Sequence, residues 1–319
     1  MKPVIGITLG DPAGIGTEVT LKALSNLKKK RTDFLPLLIG DLPVLKKNSS
    51  LLSLPFHFKI FETGIIKGDF PVCHPDRLCG KAAYSYIKKG ITLLKEKKIN
   101  ALVTAPVNKE SINLAGYRFT GHTGLLARAF NVKNFGMVLA SDSMRVLLVT
   151  THIPLKEVPA AITKEAVLKK ILLGDKFLRE EMGIRKPKIG ICGLNPHAGE
   201  GGVLGDEEKK IISPAIEEAR KKGVECFGPF PSDSLFFKQK RTNEYDLILA
   251  MFHDQGLIPL KTLYFERVVN ITIGLPAIRT SPGHGTGYDI AYQNKADSTS
   301  MEEAISLAIL LSKKLKLKI

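Results

Sequence analysis

The chain contains no tryptophan and only three glutamines in 319 residues, and aromatic residues make up 7%. The aromatics do not interleave with the basic residues, which argues against a surface that stacks nucleic-acid bases. Four cysteines (Cys73, Cys79, Cys192, Cys226) are scattered through the chain, without a CxxC pair. That spacing excludes a disulfide framework and a zinc ribbon, leaving reduced structural thiols. No apolar run approaches the roughly 20 residues of a membrane span. The opening MKPVIGITLG meets Asp11 and Pro12 too early for a secretory leader, so a cytoplasmic location is expected. Scarce glutamine beside abundant lysine and glutamate is a composition found in thermophilic proteins. Two nucleotide signatures are also missing. From Gly14, the third glycine of GxGxxG would fall at Val19, and there is no GK[ST], so neither a Rossmann loop nor a Walker loop is present.

What is present is a globular composition, 44% hydrophobic and 24% charged, long enough for two ordinary domains or one large α/β domain. The formal net charge of +16 lies in distributed clusters such as Lys28 to Arg31, Lys95 to Lys98 and a lysine-rich C-terminus. These fall at the ends or outer faces of helix-like segments, where lysines are solvated and complement the helix dipole. A nucleic-acid partner is therefore not expected, although such a surface helps to attract phosphates.

Strand-like and helix-like patterns alternate from end to end. Strands are expected at Val4–Leu9, Leu35–Ile39, Phe56–Phe61, Ala101–Ala105, Lys188–Cys192, Val224–Phe227, Leu247–Phe252 and Val268–Leu275. Met137–Ala140 and Arg145–Thr150 suggest a hairpin. Helices are expected at Glu18–Lys30, Arg77–Lys98, Leu125–Phe130, Thr163–Met182 (with Thr163 as N-cap of a capping box), Glu207–Lys222 and Met301–Lys316. That alternation predicts an α/β fold with a largely parallel sheet. The turn Gly10–Gly16, between strand and helix, has the arrangement that presents backbone N–H groups to an anion.

Three histidines share one context. His152, His197 and His253 each lie just past the carboxyl end of an apolar run, where open α/β sheets place ligands. Three neutral imidazoles with an open position suit a borderline divalent cation such as Zn²⁺ or Co²⁺, and the competing reading is that each merely caps a loop. After His253, Lys261, Asn270 and Arg279 follow at intervals of eight, nine and nine residues. With His122-Thr123 they offer donors and fixed positive charge for a phosphate or carboxylate. The loops Pro196–Gly202 and Gly283–Gly287 allow close backbone approach. No Ser-x-Gly elbow or recognisable Cys/His pair argues for a covalent nucleophile.

In order along the chain stand GDPAGIG (Gly10–Gly16), TAPVNK (Thr104–Lys109), FTGHT (Phe119–Thr123), VTTHIPL (Val149–Leu155), GLNPHAGEGG (Gly193–Gly202), HDQGL (His253–Leu257) and VNITIGLPAIRTS (Val269–Ser281). With these motifs the chain resembles the 4-hydroxythreonine-4-phosphate dehydrogenases of pyridoxal phosphate biosynthesis along nearly its whole length. HGTGYDIA (His284–Ala291) is also similar to the adenosine-side loop of isocitrate and isopropylmalate dehydrogenases, which bind NAD(P) without a Rossmann fold. Thr17, Gly124 and Pro282-Gly283 depart from the family pattern, and none of them removes a ligand position.

The resemblance implies two α/β/α domains flanking a cleft, one built from residues 1–118 and 280–319, the other from 119–279 and carrying the metal ligands and the dimer contact. It implies a homodimer with a shared active site, in which His152, His197 and His253 hold one Zn²⁺, Mg²⁺ or Co²⁺, the three histidines being drawn from both subunits. His122, Thr123, Lys261, Asn270 and Arg279 would contact the small phosphorylated substrate. His284, Gly285, Thr286 and Asp289 would lie on the NAD or NADP side. Asp254 and Lys261 are the candidates for the general base. The implied reaction is oxidation at C3 followed by loss of CO₂, giving 3-amino-2-oxopropyl phosphate. A paralogue acting on threonate or erythronate 4-phosphate would keep the same metal and phosphate residues. A phosphoacyl transferase sharing the fold would not need the three histidines.

Overall fold

The computed structural model describes residues 2–316. They form two compact units, one of the described residues up to Lys133 and from Leu275 on, the other Asn134–Gly274. The first unit therefore includes residues 119–133 and 275–279, which the sequence reading grouped with the central domain. Packing accounts for this: Phe119, Leu125 and Leu126 share a buried cluster with Ala83, Ile87, Ile91 and Ile112.

The first unit runs β1 (Val4–Thr8), α1 (Gly16–Lys30), β2 (Leu35–Gly40), α2 (Leu42–Leu52), β3 (Lys59–Glu62), α3 (Arg77–Lys95), β4 (Ala101–Thr104), α4 (Lys109–Leu114) and α5 (His122–Ala129). After the second unit it resumes with β11 (Ile278–Pro282) and α11 (Thr299–Lys316). Its strands lie in the order β3-β2-β1-β4-β11, every pair parallel. β4 is buried at every position, as expected of a parallel strand covered on both faces. The strand order reverses between β1 and β4, so the loops after β1, β4 and β11 share one carboxyl edge, where α/β folds bind ligands. α3 buries Cys79, Ala83, Tyr86, Ile87 and Gly90, a one-sided helical stripe, and is capped by Asp76, which accepts from the Cys79 N–H at 2.9 Å. Gly80 lets α4 pass at backbone distance, since a Cβ there would fall 1.9 Å from the Ser111 carbonyl oxygen. At the end of β2 the buried Asp41 carboxylate accepts from the N–H groups of Thr63, Gly64, Ile65 and Ile66 and from the Tyr86 hydroxyl.

The second unit runs β5 (Gly136–Ala140), β6 (Arg145–Leu148), α6 (Val158–Ala161), α7 (Lys164–Lys176), β7 (Lys188–Cys192), α8 (Ser213–Lys221), β8 (Glu225–Phe230), α9 (Ser232–Thr242), β9 (Leu247–Ala250), α10 (His253–Tyr264) and β10 (Val269–Ile273). Its strand order is β10-β5-β6-β9-β7-β8. The expected β5–β6 hairpin is antiparallel, as is β10 with β5, and the other pairs are parallel. Thr163 caps α7 by accepting from the Ala166 N–H at 3.1 Å. Glu165 stands at the second helical position, so the reciprocal half of a capping box is not made. Met137, Leu139, Val146, Leu148, Ile248, Ala250, Leu257 and Leu260 belong to the core beneath α9 and α10.

Two local expectations are corrected. Asp254-Gln255-Gly256, a polar, turn-prone stretch by composition for which no helix was expected, opens α10, which tolerates Gly256 and Pro259. A Cβ on Gly256 would meet Leu148 and Val146 at 2.8 Å, so the glycine is there for close helix–sheet packing. Residues Ile278–Pro282, for which no strand was expected, form β11 just before the glycine-rich loop Gly283–Gly287. All five β11 residues are buried although three (Arg279, Thr280 and Ser281) are polar.

Candidate active site

β6, β9 and β7 are adjacent parallel strands, and each delivers one of the three histidines within a few residues of its carboxyl end. The His152 and His253 rings come within 5.5 Å, centroid to centroid, tilted by 45°. His253 begins α10, and its Nδ1 lies 2.7 Å from Asp254 Oδ1. A carboxylate on one ring nitrogen fixes the ring and leaves Nε2 as the ligand atom, the arrangement metal-binding histidines use. Asp254, a base candidate on sequence, is thus engaged with His253.

His197 is held differently. From His197 to Gly201 five successive residues have left-handed backbone, with φ of 53°, 53°, 76°, 42° and 68°. The exposed ring lies 3.6 Å from Glu200 through Nδ1. It lines a cavity of about 730 Å³ with Asn195, Ser232, Phe252, Asp254, Gln255 and Ile258. Among the described residues no three His, Cys, Asp or Glu side chains of one chain converge to hold a metal ion. The imidazole set has the right chemistry for a borderline divalent cation, and one chain brings together two of its three members.

Lys261 stands eight residues after His253 on α10, its Nζ 5.6 Å from the Phe265 ring centre. Asn270 lies on β10 opposite Leu139. Its buried Oδ1 has no hydrogen-bond partner among the described residues, a cost that a bound donor would remove.

The first unit holds the remaining candidates. Arg279 is buried in β11, and its Nε and Nη2 donate to Thr104 Oγ1 at 3.2 and 2.7 Å. Burial pulls its guanidinium down to about 9. His122 begins α5, and its buried Nε2 has no partner among the described residues. Burial first, and then the charges of Arg279 and Lys109, hold its imidazole well below the usual range, so it is neutral at neutral pH. A buried cation beside a neutral histidine with an open nitrogen is an environment that favours an entering anion. Thr123 follows on the same first helical turn.

In the glycine-rich turn Gly10–Gly16 the N–H groups of Asp11, Ala13, Gly14 and Ile15 are taken up by the protein itself. The turn is wholly buried; Asp11 N–H donates to Pro106 O, Gly14 N–H to Asp11 O and Ile15 N–H to Thr286 O. A Cβ on Gly14 would lie 2.6 Å from that Thr286 oxygen, so the glycine is required for the loop after β11 to seat here. Of the cofactor-side candidates, Thr286 is anchored this way, His284 Nδ1 lies 3.0 Å from Gly285 O, and Gly285 and Asp289 are exposed. Beneath them Tyr288 donates to the buried Asp11 carboxylate at 2.9 Å and lies 3.0 Å from Ser111 Oγ. Burial raises Asp11 above the ordinary carboxylate range.

The family whose members are described as pyridoxal phosphate biosynthetic protein PdxA matches residues 26–308. The chain belongs to this family. It is 42% identical over 321 residues to a 4-hydroxythreonine-4-phosphate dehydrogenase of Sulfurihydrogenibium sp., covering 97% of this chain and 98% of that one. It is also 42% identical over 327 residues to a D-threonate 4-phosphate dehydrogenase of Salmonella typhimurium, with the same coverage. The crystal structure of 4-hydroxythreonine-4-phosphate dehydrogenase from Klebsiella pneumoniae superimposes with a TM-score of 0.86 at 36% identity, covering 98% of each chain. Isocitrate dehydrogenase from Methylococcus capsulatus shares the fold alone, with a TM-score of 0.51 at 13% identity over 98% of this chain and 87% of that one. The chain is thus an α/β dehydrogenase of the isocitrate dehydrogenase-like fold. No described helix is long and apolar enough to cross a membrane.

Sequence reasoning missed Thr104, Glu208 and Gln255, each of which grips a candidate site residue or the base of its loop. Thr104 and Gln255 lie inside motifs that carried the family resemblance, whereas Glu208 stands in a run of charged residues that gave no signal.

Proposed function

We propose that the protein catalyses the NAD(P)-dependent, divalent-metal-dependent oxidative decarboxylation of 4-phosphohydroxy-L-threonine. The observation that carries this reading is the His152–His253 pair, 5.5 Å apart at the ends of adjacent strands in a member of this family. When bound, a divalent cation supplies Lewis acidity for oxidation of the C3 hydroxyl and for loss of CO₂, and a nicotinamide dinucleotide supplies the hydride acceptor. Asp254 orients His253. Arg279, held by Thr104, offsets anionic charge on the substrate, and His122 and Asn270 offer their unpartnered polar atoms to it. Lys261 adds a second cation and is a candidate general base. Thr286, Gly285, His284 and Asp289 serve the dinucleotide.

The ligand set is shared between two copies in this reading. Each candidate histidine is followed closely by an exposed apolar side chain: Leu155 at 71%, Val203 at 79% and Ile258 at 62% exposure. Apolar groups left in water close in sequence to the three candidate ligands support the reading that a second copy covers them.

The runner-up substrate is D-threonate or D-erythronate 4-phosphate, favoured by equal identity to a threonate enzyme. Those substrates differ from the first at C2, hydroxyl against amino, away from the metal and phosphate residues. NAD(P)H formation is measured with both classes of ester across a titrated panel of Zn²⁺, Mg²⁺ and Co²⁺. A higher kcat/KM for the threonate ester replaces the first reading with the second. Full activity after chelation removes the metal from both.

A further inference from the structure

A left-handed turn of five residues needs an outside hold. His197, Ala198 and Glu200 are not glycines, and each such residue costs about 1 kcal/mol or more in this conformation. Inside the turn, Ala198 N–H donates to Asn195 O and Leu204 N–H to Gly199 O, both at 3.1 Å. The larger hold comes from two side chains outside it.

Glu208 is 4% exposed. Its Oε1 accepts from the N–H groups of Leu194 and Asn195, both at 2.7 Å, and its Oε2 accepts from Asn195 Nδ2 at 3.1 Å. That Oε2 lies 2.6 Å from where a Cβ on Gly199 would fall, so the carboxylate sits directly against the turn. Gln255 uses its whole amide: Oε1 accepts from Met251 N–H, and Nε2 donates to Gly193 O and Ser232 Oγ, all at 2.7 Å. Residues 193, 194 and 195 are therefore gripped in succession, two residues before His197. Gln255 itself stands two residues after His253.

We propose that Glu208 and Gln255 are positioning residues that hold the His197 turn in the conformation in which it ligates a divalent cation. This rests on the reading of His197 as a metal ligand. Side chains that orient ligands in this way change metal affinity about 10- to 100-fold when altered. The competing role is purely structural, the two side chains satisfying buried backbone groups and nothing more.

Co²⁺ alone is titrated into the metal-free full-length protein, wild type and variants, following its visible absorption, with the unfolding temperature measured in parallel. His197→Ala, Glu208→Gln and Gln255→Leu are each expected to weaken Co²⁺ at least 10-fold. Ala198→Gly placed in the Glu208→Gln background is expected to recover several-fold, because glycine enters the left-handed conformation freely; a merely structural glutamate would leave Co²⁺ affinity indifferent to that glycine. Wild-type affinity in Glu208→Gln and Gln255→Leu beside a loss in His197→Ala would overturn the brace and spare the ligand. Wild-type affinity in His197→Ala removes the ligand reading itself. If neither brace variant folds, the two residues are structural and the proposal falls.

Discussion

Arg279→Met separates a binding residue from a structural one by the sign of its effect on stability. The guanidinium is buried in the first unit's sheet and donates to the Thr104 hydroxyl. Burial brings it down to about 9, roughly three to four pH units below an ordinary guanidinium. At about 1.36 kcal/mol per unit, keeping it charged in the fold costs on the order of 4–5 kcal/mol. Packing of its aliphatic stem and relaxation reduce that figure, so methionine, of similar length and uncharged, is expected to stabilise the fold by about 2 kcal/mol. For a chain of this size that raises Tm by roughly 3 °C.

The pH dependence follows in sign. The folded-state value is lowered, so the penalty is present in full below about 9 and fades as the pH rises above it. Wild type and variant should therefore keep a constant gap from pH 6 to 8 and converge above pH 9. Catalysis moves the opposite way: losing a buried charged contact to an anion costs about 3–4 kcal/mol, a fall of roughly 10²- to 10³-fold in kcat/KM. Thermal unfolding and steady-state kinetics on one preparation decide it. A variant with lower Tm and near-normal kcat/KM would show Arg279 to be a structural residue and would sink the argument.

His122 is held neutral in the fold, its imidazole lowered by burial and by Arg279 and Lys109, so stability is lost as pH falls below the ordinary imidazole value of about 6.5. His122→Asn should lose less Tm than wild type between pH 6.5 and 5, and parallel Tm curves would contradict the assignment. Gly80→Ala drives a methyl group into the Ser111 backbone carbonyl and should cost about 3 kcal/mol in urea unfolding; a cost under 1 kcal/mol would mean that α3 and α4 can separate freely. Ile258→Glu charges the exposed apolar group beside the His253 turn. Sedimentation should show the monomer in place of the proposed dimer, with Co²⁺ affinity lost as well, and a persisting dimer would remove this residue from the contact.

Long elements with one strong period were readable in advance. α1, α3 and α7 lie where their apolar stripes put them, and β1, β4, β7 and β9 are short buried runs in a chain that alternates helix and strand. The short helices α2, α4 and α9 were not anticipated, since a helix of 6 to 11 residues with polar neighbours has too few turns to show a stripe. β11 was not anticipated because Arg279, Thr280 and Ser281 look like loop residues, and only the fold reveals that they are buried. α10 was missed for a related reason: Gly256 and Pro259 are poor helix formers retained where the helix packs on the sheet and carries His253. Local rules thus fail in short helices and, in α10 and β11, at candidate site residues, as expected where a sequence serves chemistry as well as folding.

The three histidines show how far strand order can go. A parallel sheet spaces neighbouring strands about 4.8 Å apart, so equal exits from β6, β9 and β7 would leave three imidazoles in a row. A metal needs its ligands around a point, and a row does not supply that. His152 and His253 meet because their strands are neighbours and their exits are short. The β7 exit instead runs through Gly193, Leu194 and Asn195, gripped by Glu208 and Gln255, and then winds left-handed under His197. A ligand that merely continued the row would need none of that apparatus. In the proposed reading His197 serves the ion of a second copy and needs its direction set by rigid neighbours, and it is on this segment that the strain, the buried Glu208 carboxylate and the Gln255 amide are concentrated.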